Sequence, residues 1–323
     1  MQHLTTLVDQ VGGQAPQASG DSLKQSIETI RIHGSFGGGS RAHLYLYKEL
    51  WAGTTLSVMG FASLAWVGRS SSPIASQYIA QVPYCEAVRE GVFAQPVNTL
   101  SNLTYCLSGL LILYMIGRDR EHGKKPNDMS FLAPLFGWVA ILMGLTSAAF
   151  HGTLTHWGGI ADNIAMNLLV SLVFVHNVVR LQGWTARTFG MLYVSLNVAT
   201  TAYLIHDDSG SLRLFAVLVV AEVLSECMVI APMWFPWVRN RLVRRRVGSL
   251  GHAVGSFAAG WGIWRLSDTA GPLCAPDTLL QGHAAWHLFT SLTILFLYLY
   301  LRSEGAPSER AGGLLALPAV HRG

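Results

Sequence analysis

Long apolar runs of roughly 20 residues, separated by shorter polar stretches, set the pattern of this chain. A helix needs about 20 predominantly apolar residues to cross a bilayer. Eight segments meet that measure: 51–68, 98–116, 131–151, 160–179, 188–205, 212–233, 250–266 and 281–301. The segment 250–266, short and rich in Gly and Ala, is the weakest of them. The turn between the third and fourth is expected to be tight, with Gly152, Gly158 and Gly159 as its breakers. Trp51, Trp66, Trp157, Trp184, Trp234 and Trp237 fall near span ends, a depth that suits amphipathic rings. The prediction is an all-α integral membrane protein.

Composition agrees and adds an orientation. Of 323 residues, 51% are hydrophobic and 12% are charged, against about 25% charged in soluble domains. The net charge is +4, too small a surplus to suggest a nucleic-acid partner. Sorted by loop, 18 of the 22 basic residues fall on one side, the side that faces the cytoplasm under the positive-inside rule. Arg69, Arg89, Arg213 and Arg265 make up the other side. Both termini are therefore expected in the cytoplasm. The run Arg239–Arg246 reads as a topogenic loop rather than a binding patch. Residues 1–48 and 304–323 are expected to be cytoplasmic tails; the first has no apolar stretch near Met1 of the kind a signal peptide carries. Four cysteines are too few for a disulfide scaffold but leave room for one pair.

Polar groups inside apolar spans are costly, so each is a functional candidate. Ser147 and His151 lie four apart near the end of the third span, and His283 and His287 four apart at the start of the eighth. That spacing puts each pair on one helix face. Asp162 opens the fourth span. Alternating span directions bring all five to the non-cytoplasmic side. Three neutral imidazoles with an open fourth position form the usual catalytic zinc set. The His pair lacks the glutamate of H-E-x-x-H, so a general base must come from another helix, and Asp162 is the candidate.

These residues carry a resemblance. Gly144-Leu-Thr-Ser-Ala-Ala-Phe-His-Gly-Thr-Leu154 with Asp162 and Met166, Trp264-Arg-Leu-Ser-Asp268, Cys274, and Gln281-Gly-His-Ala-Ala-Trp-His287 are similar to the alkaline ceramidase family. Tyr84-Cys-Glu86 and Asn98-Thr-Leu-Ser-Asn102 resemble its entry into the first core helix. The blocks run in family order from about residue 83 to 301. The wider superfamily shares the Ser, Asp and three-His signature and also holds progestin/adiponectin-type receptors.

The resemblance implies a seven-helix core over 71–303, with 49–70 as an additional N-terminal transmembrane helix. It implies one catalytic zinc held by His151, His283 and His287, with water as a fourth ligand. It implies hydrolysis of the amide of ceramide or a related N-acyl lipid to a long-chain base and a fatty acid. Asp162 would move protons and Ser147 would support the oxyanion, while a cavity between helices would admit acyl chains from the bilayer. The family's calcium-regulated members carry acidic ligands before the first core helix. Here Pro83, Val88 and Gln95 stand in those places and only Glu86 remains, with Glu90 nearby, so no calcium site is expected. Cys85 and Cys274 fall in outer loops, and the resemblance supports their pairing; Cys106 and Cys227 lie within spans.

Other polar residues have simpler readings. Asn98 and Asn102 cap or bridge helices or line the substrate entrance. Arg265 and Asp268 form an outer ion pair, with Asp268 a further support for the site. Glu222 and Glu226, one turn apart in the sixth span, either mark a proton or ion path or pair with His176 or another helix's polar group. The expected partners are a ceramide-like lipid and the bilayer, with no nucleic acid and no obligate protein partner. Two alternatives keep the same five residues: a lipid ester hydrolase, and a receptor-like protein with structural zinc. The short outer loops leave no ligand-binding ectodomain for the latter.

Overall fold

The computed structural model describes residues 47–70, 84–123, 132–230, 245 and 247–303. The expected tails up to residue 46 and from 304, Pro83, Lys124, Lys125, Trp234, Trp237 and the basic run other than Arg245 lie outside the described residues. Within them the chain forms nine α-helices: α1 (Lys48–Ser70), α2 (Pro96–Ser101), α3 (Leu103–Glu121), α4 (Leu132–Thr153), α5 (His156–Gln182), α6 (Ala186–His206), α7 (Ser211–Ile230), α8 (Val247–Leu266) and α9 (Gly282–Arg302). A 3₁₀ turn, Asp208–Gly210, joins α6 to α7. Six spans are long and apolar enough to cross a membrane, with α2 and α3 counted as one. The other two, α7 and α8, each have 20 residues; α7 carries Arg213, Glu222 and Glu226, and α8 has five glycines diluting its hydropathy.

The helices pack as an antiparallel bundle whose inner faces hold Tyr105, Ile112, Phe136, Ile141, Leu172 and Ile294. Outward faces keep large apolar side chains, such as Val58, Trp66, Leu107, Val198 and Val217. In water that would be a liability; in lipid it is the expected surface. Ion pairs between helices fasten the end opposite the histidines. Arg302 pairs with Asp119 at 2.6 Å, and Arg120 with Glu49 at 2.5 Å. Buried Glu226 meets Asn177 at 2.8 Å, Arg245 at 3.4 Å and the Tyr300 hydroxyl. The plain reading of Glu226 therefore holds, with Arg245 rather than His176 as its ionic partner. The additional helix α1 docks on α3 and α4, where Gly53 lies against Leu113 and Ile141.

The third expected turn is tighter than its glycines suggested, and the breakers lie elsewhere. Gly152, Gly158 and Gly159 are all helical. The chain turns at Leu154, which adopts φ 50°, and at Thr155, whose hydroxyl accepts the Gly158 amide at 3.2 Å as the N-cap of α5. A left-handed leucine costs of order 1 kcal/mol, and complete burial of its side chain offsets that. Gly158 and Gly159 instead let the start of α5 lie close to Phe150 of α4.

A loop then locks the histidine end. The last carbonyls of α4 have no partner inside the helix. The Gln95 amide donates to the His151 carbonyl at 3.1 Å, and the Ala94 amide to that of Gly152 at 2.9 Å. The same loop is tied to the α8–α9 connection by the Cys85–Cys274 disulfide, the Ala87 amide on Pro276, and a bridge between Tyr84 and Asp268. The expected Arg265–Asp268 ion pair forms at 3.1 Å. Because the disulfide spans 189 residues of sequence, replacing both cysteines by alanine should cost about 2–4 kcal/mol. Thermal melting of detergent-purified protein, with and without reductant, checks this: reductant should lower the wild-type midpoint and leave the double variant unmoved.

Candidate metal centre

α4 delivers His151 at its last turn and Ser147 one turn earlier. α9 delivers His283 and His287 in its first two turns. All three imidazoles are buried, and one nitrogen from each lies within 4.8 Å of the others. The two closest, Nε2 of His151 and of His283, are 3.2 Å apart. Ser147 from α4 and Asp162 from α5 line the same cavity. The five residues predicted from spacing and topology are thus assembled around one cavity of about 260 Å³, with Ser147, Asp162, His283 and His287 in its wall and His151 directly behind.

The surrounding hydrogen bonds fix which nitrogens carry protons. Gln95 Nε2 donates to the Glu86 carbonyl at 3.1 Å, which can only accept. Gln95 Oε1 is therefore turned to His151 Nδ1 at 2.8 Å, so Nδ1 must carry the proton and Nε2 keeps its lone pair. Ser101 Oγ donates its one hydrogen to the Asn98 carbonyl at 2.8 Å. It can only accept from His287 Nδ1, 2.7 Å away, and the Nε2 of His287 is again a free lone pair. Nδ1 of His283 is buried without a partner, and its ring is flanked by Tyr84 and Trp264. Two lone pairs aimed at one point in a buried site form a donor set that a soft or borderline cation satisfies, with outer partners holding the rings as zinc sites require.

Gln95 and Ser101 are the residues that sequence reasoning missed. The sequence shows Gln95 only as a lost carboxylate, yet its side chain orients the His151 ring. The signal for Ser101 lay in its position between Asn98 and Asn102 on a helix starting at Pro96. Glu86 supports the same unit: its carboxylate accepts the Val97 and Asn98 amides at 2.7 and 2.8 Å, closing the N-terminus of α2. Burial pushes this carboxyl above its usual range, and the two amide bonds work against that. Asn98 and Asn102 are fully buried, outside the cavity wall, and their side-chain amides donate locally, to Gln95 Oε1 and to the Asn98 carbonyl. Asp268 is also outside the cavity, in the clamp that carries Tyr84.

Removing an outer partner should loosen the site without emptying it. Gln95→Leu should weaken zinc affinity about 10- to 100-fold, measured by competition with a chromophoric chelator. Gln95→Asn, too short to reach, should behave similarly.

Comparison with known proteins places this geometry. A search of curated proteins returns no match. A family model described as Ceramidase matches residues 76–311, most of the chain, beginning after α1 and taking in the whole histidine cluster with Ser147, Asp162, Gln95 and Ser101. The family implies a membrane-embedded hydrolase acting on amide bonds, with a lipid as substrate. With ordered motifs, helical bundle and buried histidine triad agreeing, the chain belongs to the ceramidase family.

Proposed function

We propose that this protein hydrolyses the N-acyl bond of ceramide or a closely related N-acyl lipid, using zinc held by His151, His283 and His287. The observation that carries the reading is the convergence of the imidazole lone pairs beside a carboxyl and a hydroxyl in one buried cavity. Zinc bound there would polarise the scissile carbonyl and make a water acidic enough to attack near neutral pH.

The chain's own residues do the rest. Asp162 accepts the attacking water's proton and returns it to the departing amine. Ser147 turns its hydroxyl to the developing oxyanion. The cavity beyond them is lined by Trp261, Trp264, Trp286 and Phe215, a wall for the apolar part of the substrate. A second space of about 310 Å³, almost entirely apolar, shares Met143, Met166, Phe215 and Trp286 with the first. It runs on between α5, α7, α8 and α9 and suits a hydrocarbon chain. The histidine end is assigned to the non-cytoplasmic face and both termini to the cytoplasm, on the basic residues at the opposite end. α1 is assigned as an addition to a seven-helix catalytic core over 71–303.

The test is turnover of N-acyl and O-acyl lipids by purified, metal-analysed protein. N-acyl lipids should be cleaved in preference to the matching esters, with stoichiometric zinc. His287→Ala should abolish both zinc binding and cleavage. Asp162→Asn should keep the metal and lose about 10²- to 10⁴-fold in rate, and Ser147→Ala about 10²- to 10³-fold. Hydrolysis that survives His287→Ala would remove the proposal.

A further inference from the structure

Glu222 has no place in the chemistry above. It lies eleven residues along α7 from Ser211, which lines the metal-side cavity, and so about 16 Å deeper in the bundle. Its neighbour one turn on, Glu226, is fully engaged by Asn177, Arg245 and Tyr300. Glu222 differs: Oε1 is buried with no hydrogen-bond partner, in the wall of the second cavity. Apart from Glu226, Cys227, Thr290 and Thr293, the rest of that wall is Val, Leu, Ile, Phe, Met, Ala and Trp.

We propose that Glu222 is a specificity-determining residue that limits the length of hydrocarbon chain the site accepts. The inference rests on the proposed N-acyl lipid hydrolysis and on the shared walls of the two cavities. A cavity of about 310 Å³ has room for water at its one unpaired carboxyl. A chain ending short of Glu222 leaves that hydration in place and gains apolar contact with Val219, Phe215 and Phe257. A chain reaching past Glu222 displaces the water and leaves a polar group against methylenes, which is unfavourable. The carboxyl thus acts as a stop where an apolar residue would let the chain through.

The experiment compares two series of N-acyl sphingoid bases in detergent micelles, one varying the acyl chain and one the base chain. The readout is the long-to-short turnover ratio within each protein preparation, which does not depend on the fraction folded. For one of the two series, wild-type turnover should fall roughly 10-fold once the chain passes the depth of Glu222. Glu222→Leu should restore most of that loss while leaving short substrates within about twofold; Glu222→Met serves where the leucine variant does not fold. Val219→Trp, which fills the cavity nearer the metal, should move the cutoff to shorter chains. An unchanged ratio in the Glu222 variants, or a cutoff that ignores Val219→Trp, would overturn the inference. A wild-type protein that cleaves no N-acyl lipid would instead overturn the proposed function.

Discussion

Two side-chain hydrogen bonds, Gln95 to His151 Nδ1 and Ser101 to His287 Nδ1, carry the consequence on which the centre depends. Each accepting oxygen is forced into its role because the donor hydrogen of its own side chain, on Gln95 Nε2 or Ser101 Oγ, is committed to a carbonyl elsewhere. The imidazoles are thereby held as neutral rings with lone pairs facing inward. Inside a bundle, where water cannot correct a wrong tautomer, that arrangement has few alternatives. Buried histidines without it would serve equally well as core donors.

The rest of the histidine end keeps those two bonds in register. Gln95 and Ser101 sit on a loop and a six-residue helix, neither of which could hold its position alone. Glu86 closes the helix from outside, the loop amides close the end of α4, and the disulfide closes the loop onto the approach to α9. Backbone groups that would be orphaned at helix ends thus become the attachment points of the site. Helix capping and the orientation of the histidines share the same few residues.

The opposite end works differently. There the polar groups are charged and paired, as Arg302 with Asp119 and Arg245 with Glu226, and they fasten helices to one another. Between the two ends the interior is apolar, and it is in that stretch that Glu222 stands out. Its burial without a partner at Oε1 runs against the satisfaction of buried polar groups seen around it.

By itself the sequence determined the helices along its apolar runs and the gathering of Ser147, His151, Asp162, His283 and His287 at one end of the bundle. Those properties follow from local periodicity and from the cost of charge in lipid, and both are written residue by residue. The His283–His287 pair and the Ser147–His151 pair were legible because four residues along a helix is one face. The turn at Leu154 was not, since a buried leucine holding a left-handed φ depends on the neighbours that bury it. Nor were the parts played by Gln95 and Ser101. Each acts on a histidine far away in the chain, across contacts created only when the disulfide-tied loop settles on α4 and α9. Tertiary structure alone decided which nitrogen of His151 and of His287 carries its proton, because that choice belongs to Gln95 and Ser101, brought up from elsewhere in the chain.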